Sequence, residues 1–373
     1  MLCAGRKNFT TLYLHTEQTM NVSHAAFRCF LTLAIAVLFA SGPAFAQTMP
    51  VGRIKEGPGV TQTRMLSHYH PGLANTPGDT PVYVMDSGKP GGTVFIAGGT
   101  HGNEPSGYVT AILLVENAVP KAGRLIIIPH ANASAIAHPD ARADAPRSFT
   151  LKTPGGDRTF PYGSRLSNPA HQGRDPENYT HPRAEKPAEG STARNLNRLH
   201  PGKAGGNLTE QLAHGLAELI RKEKADMAID LHEANPESPI RDVLIAHDRA
   251  MDVAAEAVMN LEMEGMHIRL DASPSRMWGL SHREWGDHTD TMAILMETIN
   301  PAQGRRANEA TEDIIVFGRD GKNPLAERVA RHVTAVSALL QVYSEQHPQR
   351  PVTVEGVPEF AAIRDNLGNY LAP

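Results

Sequence analysis

Thr93 to Gly107 reads TVFIAGGTHGNEPSG, and the expected fold is built around it. The apolar run Val94-Phe95-Ile96-Ala97 reads as a buried strand. Gly98 and Gly99 end it and let the backbone turn sharply. His101 and Glu104 follow, then Pro105, a residue suited to the first turn of a helix. The passage from a strand C-terminus to a helix N-terminus is where open α/β sheets place their sites. An imidazole and a carboxylate three positions apart, just beyond that edge, can reach one metal ion. Zinc takes such nitrogen and oxygen ligands, and a catalytic zinc keeps one position open. The stretch therefore demands a third ligand and a general base elsewhere in the chain.

Working outward, strands alternate with helices. Pro81 to Met85 reads as a short strand, and Val109 to Val119 as the helix after the motif. Arg124 to Pro129, Asp226 to Leu231 and Asp242 to His247 are further buried strands, followed by His267 to Leu270 and Thr291 to Glu297. Thr209 to Lys222 carries Leu212, Leu216, Leu219 and Ile220 at helical spacing. Met251 to Met263 and Asn323 to Tyr343 are two more helices. This alternation predicts an α/β fold: a mostly parallel or mixed central sheet with helices on both faces, in one catalytic domain. Residues 47–80, rich in Pro, Gly and Thr, read as an irregular lead-in. Residues 131–200 show little apolar periodicity and read as a loop-rich insertion over the site. Their eight arginines, Arg142 to Arg198, make either a carboxylate-binding wall or an ordinary solvated loop.

Residues 1–46 read as an upstream extension with a cleaved signal peptide. From Met20, a short stretch containing Arg28 leads into the apolar Phe30 to Ala40 and ends at Ala44-Phe45-Ala46. The mature chain then begins near Gln47, in the periplasm or outside the cell. The apolar run is short for a membrane span, and no later segment is apolar enough for one. Cys3 and Cys29 both precede the cleavage point, so a mature metal site has to use His, Asp and Glu. Cleavage removes three basic residues and one acidic residue, moving the formal charge from −4 to −6 over the 327 residues left of 373. That balance argues against nucleic acid as a partner. Residues 47–346 make the catalytic domain. Residues 347–373, with Pro348, Pro351 and Pro358, make a C-terminal tail.

Three more stretches complete the constellation. Asp230-Leu231-His232 puts a second imidazole at a strand end, where a third ligand belongs. Asp230, two residues earlier on the same strand face, can orient a ligand or hold substrate. Glu297 leaves an apolar strand as a partly desolvated carboxylate, the environment a general base needs. Arg194-Asn195-Leu196-Asn197-Arg198 offers amide and guanidinium groups for a substrate carboxylate or an oxyanion. His282 and His288 read as surface histidines near a turn, and His68 and His70 as loop histidines rather than a second metal site. Trp278 and Trp285 read equally as pocket walls or as core cover.

With these motifs in their order, the chain resembles the succinylglutamate desuccinylase/aspartoacylase family, within the clan of zinc carboxypeptidases. The resemblance runs from about residue 80 to 345. It rests on Gly99-Thr100-His101-Gly102-Asn103-Glu104, on Asn195-Leu196-Asn197-Arg198 followed by Pro201-Gly202, on Asp230-Leu231-His232, and on Leu295-Met296-Glu297-Thr298. Asn195 stands where the family usually has Asp, which removes a charge that could orient the neighbouring arginine. The insertion is longer than in small members of the family.

The resemblance implies one zinc ion on His101, Glu104 and His232, with Glu297 activating the water. It also implies Arg198 as oxyanion stabiliser with Asn197 or Arg194, and Arg283, in Ser281-His282-Arg283-Glu284-Trp285, as the cation for a substrate carboxylate. The expected activity is hydrolysis of an amide bond in N-acyl amino acids or short peptides. Trimming of cell-wall peptides by a periplasmic carboxypeptidase is the alternative within enzymes, and a secreted zinc- or ligand-binding protein without turnover the alternative outside them.

Overall fold

Eight strands make the central sheet: β1 (Gln62–Met65), β2 (Pro81–Asp86), β3 (Thr93–Ala97), β4 (Arg124–Ile128), β5 (Met227–Ala234), β6 (Val243–Ala246), β7 (Arg269–Ala272) and β8 (Met292–Ile299). They lie in the order β1-β2-β4-β3-β5-β8-β6-β7 in a computed structural model, which describes residues 54–304 and 310–373. The four middle strands, β4, β3, β5 and β8, run parallel to one another. Antiparallel pairings join β1 to β2, β2 to β4, and β6 to β8. The fold is thus mixed α/β with a mostly parallel centre, as the alternation of elements predicts. The signal segment and its cleavage site lie outside the described residues. Among the described residues no helix is long and apolar enough to cross a membrane.

The middle strands are apolar on both sides because helices cover both sides. On one face, Val94, Ile96, Leu125, Ile127, Ile229, Leu231, Ile294 and Met296 pack against α1 (Pro105–Asn117), α3 (Met251–Met263) and α5 (Leu325–Gln346). On the other, Phe95, Ala97, Ile126, Ile128 and Ala228 pack against α2 (Leu208–Glu223) and Trp285 of α4 (Ser281–His288). Each fully buried Leu or Ile in these layers contributes about 1.5–3 kcal/mol. Helix α2 begins with a reciprocal cap: the Asn207 side chain accepts from the Glu210 amide at 2.9 Å, and Glu210 accepts from the Asn207 amide at 3.0 Å. It ends at Lys224, which adopts the left-handed conformation.

Three regions differ from the sequence reading. The lead-in contains β1, an edge strand whose mostly exposed residues show no apolar alternation. The insertion contains a hairpin, Ser148–Thr153 with Gly156–Pro161, which stacks Phe149 on Phe160 at 5.4 Å. Phe149 and Leu151, two apart just ahead of Pro154-Gly155, were its sequence trace. The tail is not loose: Thr353–Glu355 pairs with Val119–Ala122, and Phe360–Asn366 is helical. Its Ile363, Leu367 and Leu371 are buried in the same core as α1 and α5.

Candidate metal and catalytic site

At the carboxyl ends of β3, β5 and β8 the apolar alternation turns polar without turning solvent-exposed. Along β5, Ala228, Asp230 and His232 share one face. Along β8, Ala293, Leu295 and Glu297 do the same. His232 and Glu297 are register partners on adjacent parallel strands, so their side chains stand side by side. Beyond β3, Gly99 has φ +73°, a turn that any side chain would strain. It delivers His101 and Glu104 to the same spot, and both are almost fully buried.

Glu104 is the hub. Its Oε1 lies 2.8 Å from His101 Nδ1 and accepts from Arg165 Nη1 at 2.9 Å. Its Oε2 lies 2.8 Å from His232 Nδ1 and accepts from the Glu233 amide at 3.1 Å. Burial alone would push its carboxyl up, but the two imidazoles hold it well below the usual range. One ligand atom from each of His101, Glu104 and His232 lies within 4.8 Å of the others, which makes these three a potential metal site among the described residues.

The donor chemistry fits zinc: two imidazole nitrogens, one carboxylate and no thiolate. The outer nitrogens of the rings fit as well. His101 Nε2 meets Asn195 Oδ1 at 3.0 Å, and His232 Nε2 meets Asp230 Oδ2 at 2.8 Å. An acceptor at Nε2 holds the proton there and leaves the Nδ1 lone pair for a metal. Asp230 is itself fixed, taking the hydroxyls of Thr100 at 2.9 Å and Ser281 at 2.5 Å. With no exposed surface, Asp230 fits the orienting reading and not the substrate-holding one.

Glu297 stands 7 % exposed, and its Oε2 is buried without a hydrogen-bond partner. Burial pushes its carboxyl up to about 8; a cation in the ligand set would pull it back down. Arg198 donates from Nη1 to the Asn197 carbonyl at 2.6 Å. Burial and the nearby Arg165 lower its pKa, and the charges of Glu297 and Glu104 act the other way. The loop carrying it is moulded by Gly279, whose φ is +80°; a Cβ there would sit 2.1 Å from the Arg198 carbonyl oxygen. Asn197 Oδ1 accepts the Ser281 amide at 2.8 Å, which ties this loop to the start of α4.

The other two arginines named from the sequence are occupied elsewhere. Arg194 makes a two-pronged pair with Asp175, at 2.7 and 3.0 Å, and bonds the Ser167 carbonyl. Arg283 is buried against Asp287 and His247 and bonds the Ser273 carbonyl. In both, the guanidinium already pairs with a carboxylate of the chain itself.

His282 is not a surface residue: it is 3 % exposed and bonds Ser273 Oγ at 2.7 Å, and burial pushes its pKa down to about 3. His288 pairs with Glu284 at 3.0 Å. His70 meets Gln211 at 3.3 Å and packs edge-on to His214. Trp285 is core, with its indole N–H on His200 at 3.2 Å. Trp278 is half-buried under the Arg183 guanidinium at 4.1 Å.

Sequence reasoning missed two contributors. Asn195 reaches a candidate ligand, His101, where its sequence position suggested an effect on the neighbouring arginine. Arg165 arrives because the insertion pairs its backbone with the motif: the Gly102 amide donates to the Ser164 carbonyl at 2.6 Å and the Gly163 amide to the Gly102 carbonyl at 2.9 Å. The abundance of arginine in the insertion was its only sequence trace.

No protein-family model matches the chain, and no curated protein does. Solved structures are similar to parts of it. A succinylglutamate desuccinylase from a Silicibacter species is 21 % identical, over 62 % of this chain and 56 % of that one, with a TM-score of 0.38. The product-bound ectoine utilization protein EutE (DoeB) from Ruegeria pomeroyi is 19 % identical, over 72 % and 60 %, with a TM-score of 0.40. A metallo-carboxypeptidase from Burkholderia cenocepacia is 11 % identical, over 79 % and 67 %, with a TM-score of 0.49. The chain spans less than two thirds of the length of the first two. At these values no residue role carries across to this chain.

Proposed function

We propose that the protein is a zinc-dependent hydrolase of amide bonds in N-acyl amino acids or short peptides, of the desuccinylase/aspartoacylase type that its motifs resemble. One observation carries the reading. Two imidazoles and a carboxylate converge with their outer atoms already anchored, beside a buried carboxylate, Glu297, that has an oxygen without a partner. His101, Glu104 and His232 would hold the zinc, which when bound would supply Lewis acidity. Glu297 accepts the water's proton at Oε2 and returns it to the leaving nitrogen. Arg198 meets negative charge, either the substrate carboxylate or the developing oxyanion. Arg165, half-exposed and paired with Glu104, is the second cation at the ligand set and joins Arg198 in meeting that charge. The reaction takes place outside the cytoplasm if the segment from Met20 to Ala46 acts as a signal peptide.

The test pairs metal analysis with a substrate panel of N-acyl amino acids, dipeptides and cell-wall peptides. Purified protein is expected to hold about one zinc per chain and to hydrolyse at least one class. Glu297→Gln is expected to keep the zinc and lose turnover by about two to four orders of magnitude. Full activity in Glu297→Gln would assign the base elsewhere. Zinc without turnover on any class would favour a binding protein, and activity confined to cell-wall peptides a carboxypeptidase.

A further inference from the structure

Behind the ligand set, on the opposite face of β5, lies a second buried charged cluster that the proposed chemistry leaves unused. Glu233 follows His232 directly, and strand alternation turns its side chain toward α1 and α5. It is 2 % exposed, and its partner Arg328 on α5 is 1 % exposed. Arg328 donates to Glu233 Oε1 and to the carbonyls of Asn323 and Ile315. Glu233 Oε2 accepts from the Ser106 backbone amide at 3.1 Å and from Asn300 Nδ2 at 3.3 Å. Asn300 Nδ2 also donates to the Asn103 carbonyl at 3.0 Å, and Gln303 Nε2 donates to the same carbonyl at 3.1 Å. One carboxylate therefore holds the first turn of α1 and, through Asn300, the peptide just ahead of Glu104.

A buried ion pair is a poor way to stabilise a core, since well-packed apolar residues of similar volume often serve as well or better. The pair needs another reason, and the start of α1 supplies one. The first-turn amides of a helix require acceptors, normally from the N-cap side chain. Here the N-cap residue is Glu104, and its side chain makes no capping bond, because both its oxygens face the two histidines. The acceptor for the Ser106 amide comes instead from the strand that carries His232.

We infer that Glu233, held by Arg328, is a positioning residue of the metal centre. It substitutes for the missing N-cap of α1, which frees the Glu104 carboxylate for the ligand set, and it fixes the spacing between Glu104 and His232. This rests on the zinc reading proposed above.

The experiment compares wild type, Glu233→Leu and the pair Glu233→Leu with Arg328→Met. It measures thermal unfolding of the zinc-free proteins and zinc affinity by competition with a chromogenic chelator. Glu233→Leu is expected to lower the melting temperature sharply, because it strands a buried guanidinium. The pair is expected to recover that stability yet bind zinc at least about tenfold more weakly than wild type. A pair of wild-type stability that binds zinc within about twofold of wild type overturns the inference. Should the pair not fold, Asn300→Ala combined with Gln303→Ala decides, since it keeps the ion pair and severs both side-chain bonds to the Asn103 carbonyl. Severalfold weaker zinc binding in that variant supports the inference, and unchanged binding overturns it. Wild type that takes up no zinc removes the metal reading and this inference together, whereas equal binding in wild type and variants removes this inference alone.

Discussion

The ends of the parallel strands and the arginines around them make an instructive pair. At the strand ends, sequence position decides location. The two-residue period puts Asp230 with His232, and the β5–β8 register puts His232 beside Glu297. Backbone hydrogen bonding thus carries polar side chains to one edge whatever their chemistry. The arginines obey no such rule. Arg194 and Arg198 are four residues apart on one short loop, yet one is locked on Asp175 while the other lies close to Glu104 and Glu297. A guanidinium on a long flexible stem goes where its carboxylate is, and the carboxylate can be anywhere in the chain. Residue type and spacing foretell a strand-end cluster well and the partner of an arginine poorly.

The largest expected effect tests the strand-end half. His101→Ala and His232→Ala should each reduce zinc from about one per chain to near none, because two remaining ligands do not make a zinc site. Elemental analysis of the purified variants measures this, and full occupancy in both would break that half of the comparison. Next in size is Arg198→Ala. Loss of a charged hydrogen bond of about 1.5–3 kcal/mol predicts a kcat/KM lower by roughly tenfold to a hundredfold, with zinc retained.

Smaller effects are expected at the occupied arginines. Arg283→Ala should lower the melting temperature by a few degrees, at the low end of the usual range for a broken buried pair because Asp287 keeps some solvent contact. Its KM should shift equally on free-acid and amidated substrates. A KM rise confined to the free acid would return Arg283 to the substrate pocket and erase the contrast with Arg198.

The smallest effect extends the same lesson to histidine. His232 lies between two carboxylates, and although burial disfavours its charge, Asp230 and Glu104 raise its pKa well above the ordinary value. His130 has no such partner, and burial pushes it down to about 4. Between pH 6.5 and 4 the unfolded chain binds a proton at residue 130 that the folded chain refuses, so stability falls as pH falls through that window. The slope is on the order of 1 kcal/mol per pH unit. His130→Gln should reduce the slope by about that amount in a series of thermal melts, and an unchanged slope would place the sensitivity at other buried histidines.

Legibility follows the same physics. The sheet, its parallel centre and the ligand motif were readable because burial on both faces imposes long apolar runs, and turns at strand ends impose glycine. β1 and α4 were not, since an edge strand needs no apolar alternation and α4 contributes little more than Trp285 to the core. Arg165 and Asn195 were hidden for a different reason. Their roles depend on contacts across 61 and 94 residues of chain, and no local pattern encodes those. Nor does sequence distinguish the enclosed carboxylate of Glu233 from a solvated one.

The latching of residues 371 and 372 has a practical consequence. Leu371 is buried, the Ala372 amide bonds Glu116 at 2.7 Å, and the Ala372 carbonyl accepts from Arg158 at 2.8 Å. A protease reaching this segment would meet backbone held at both its amide and its carbonyl. Cleavage there must wait for the core to open, so its rate becomes a clock for that opening, readable by intact-mass spectrometry without any probe or label.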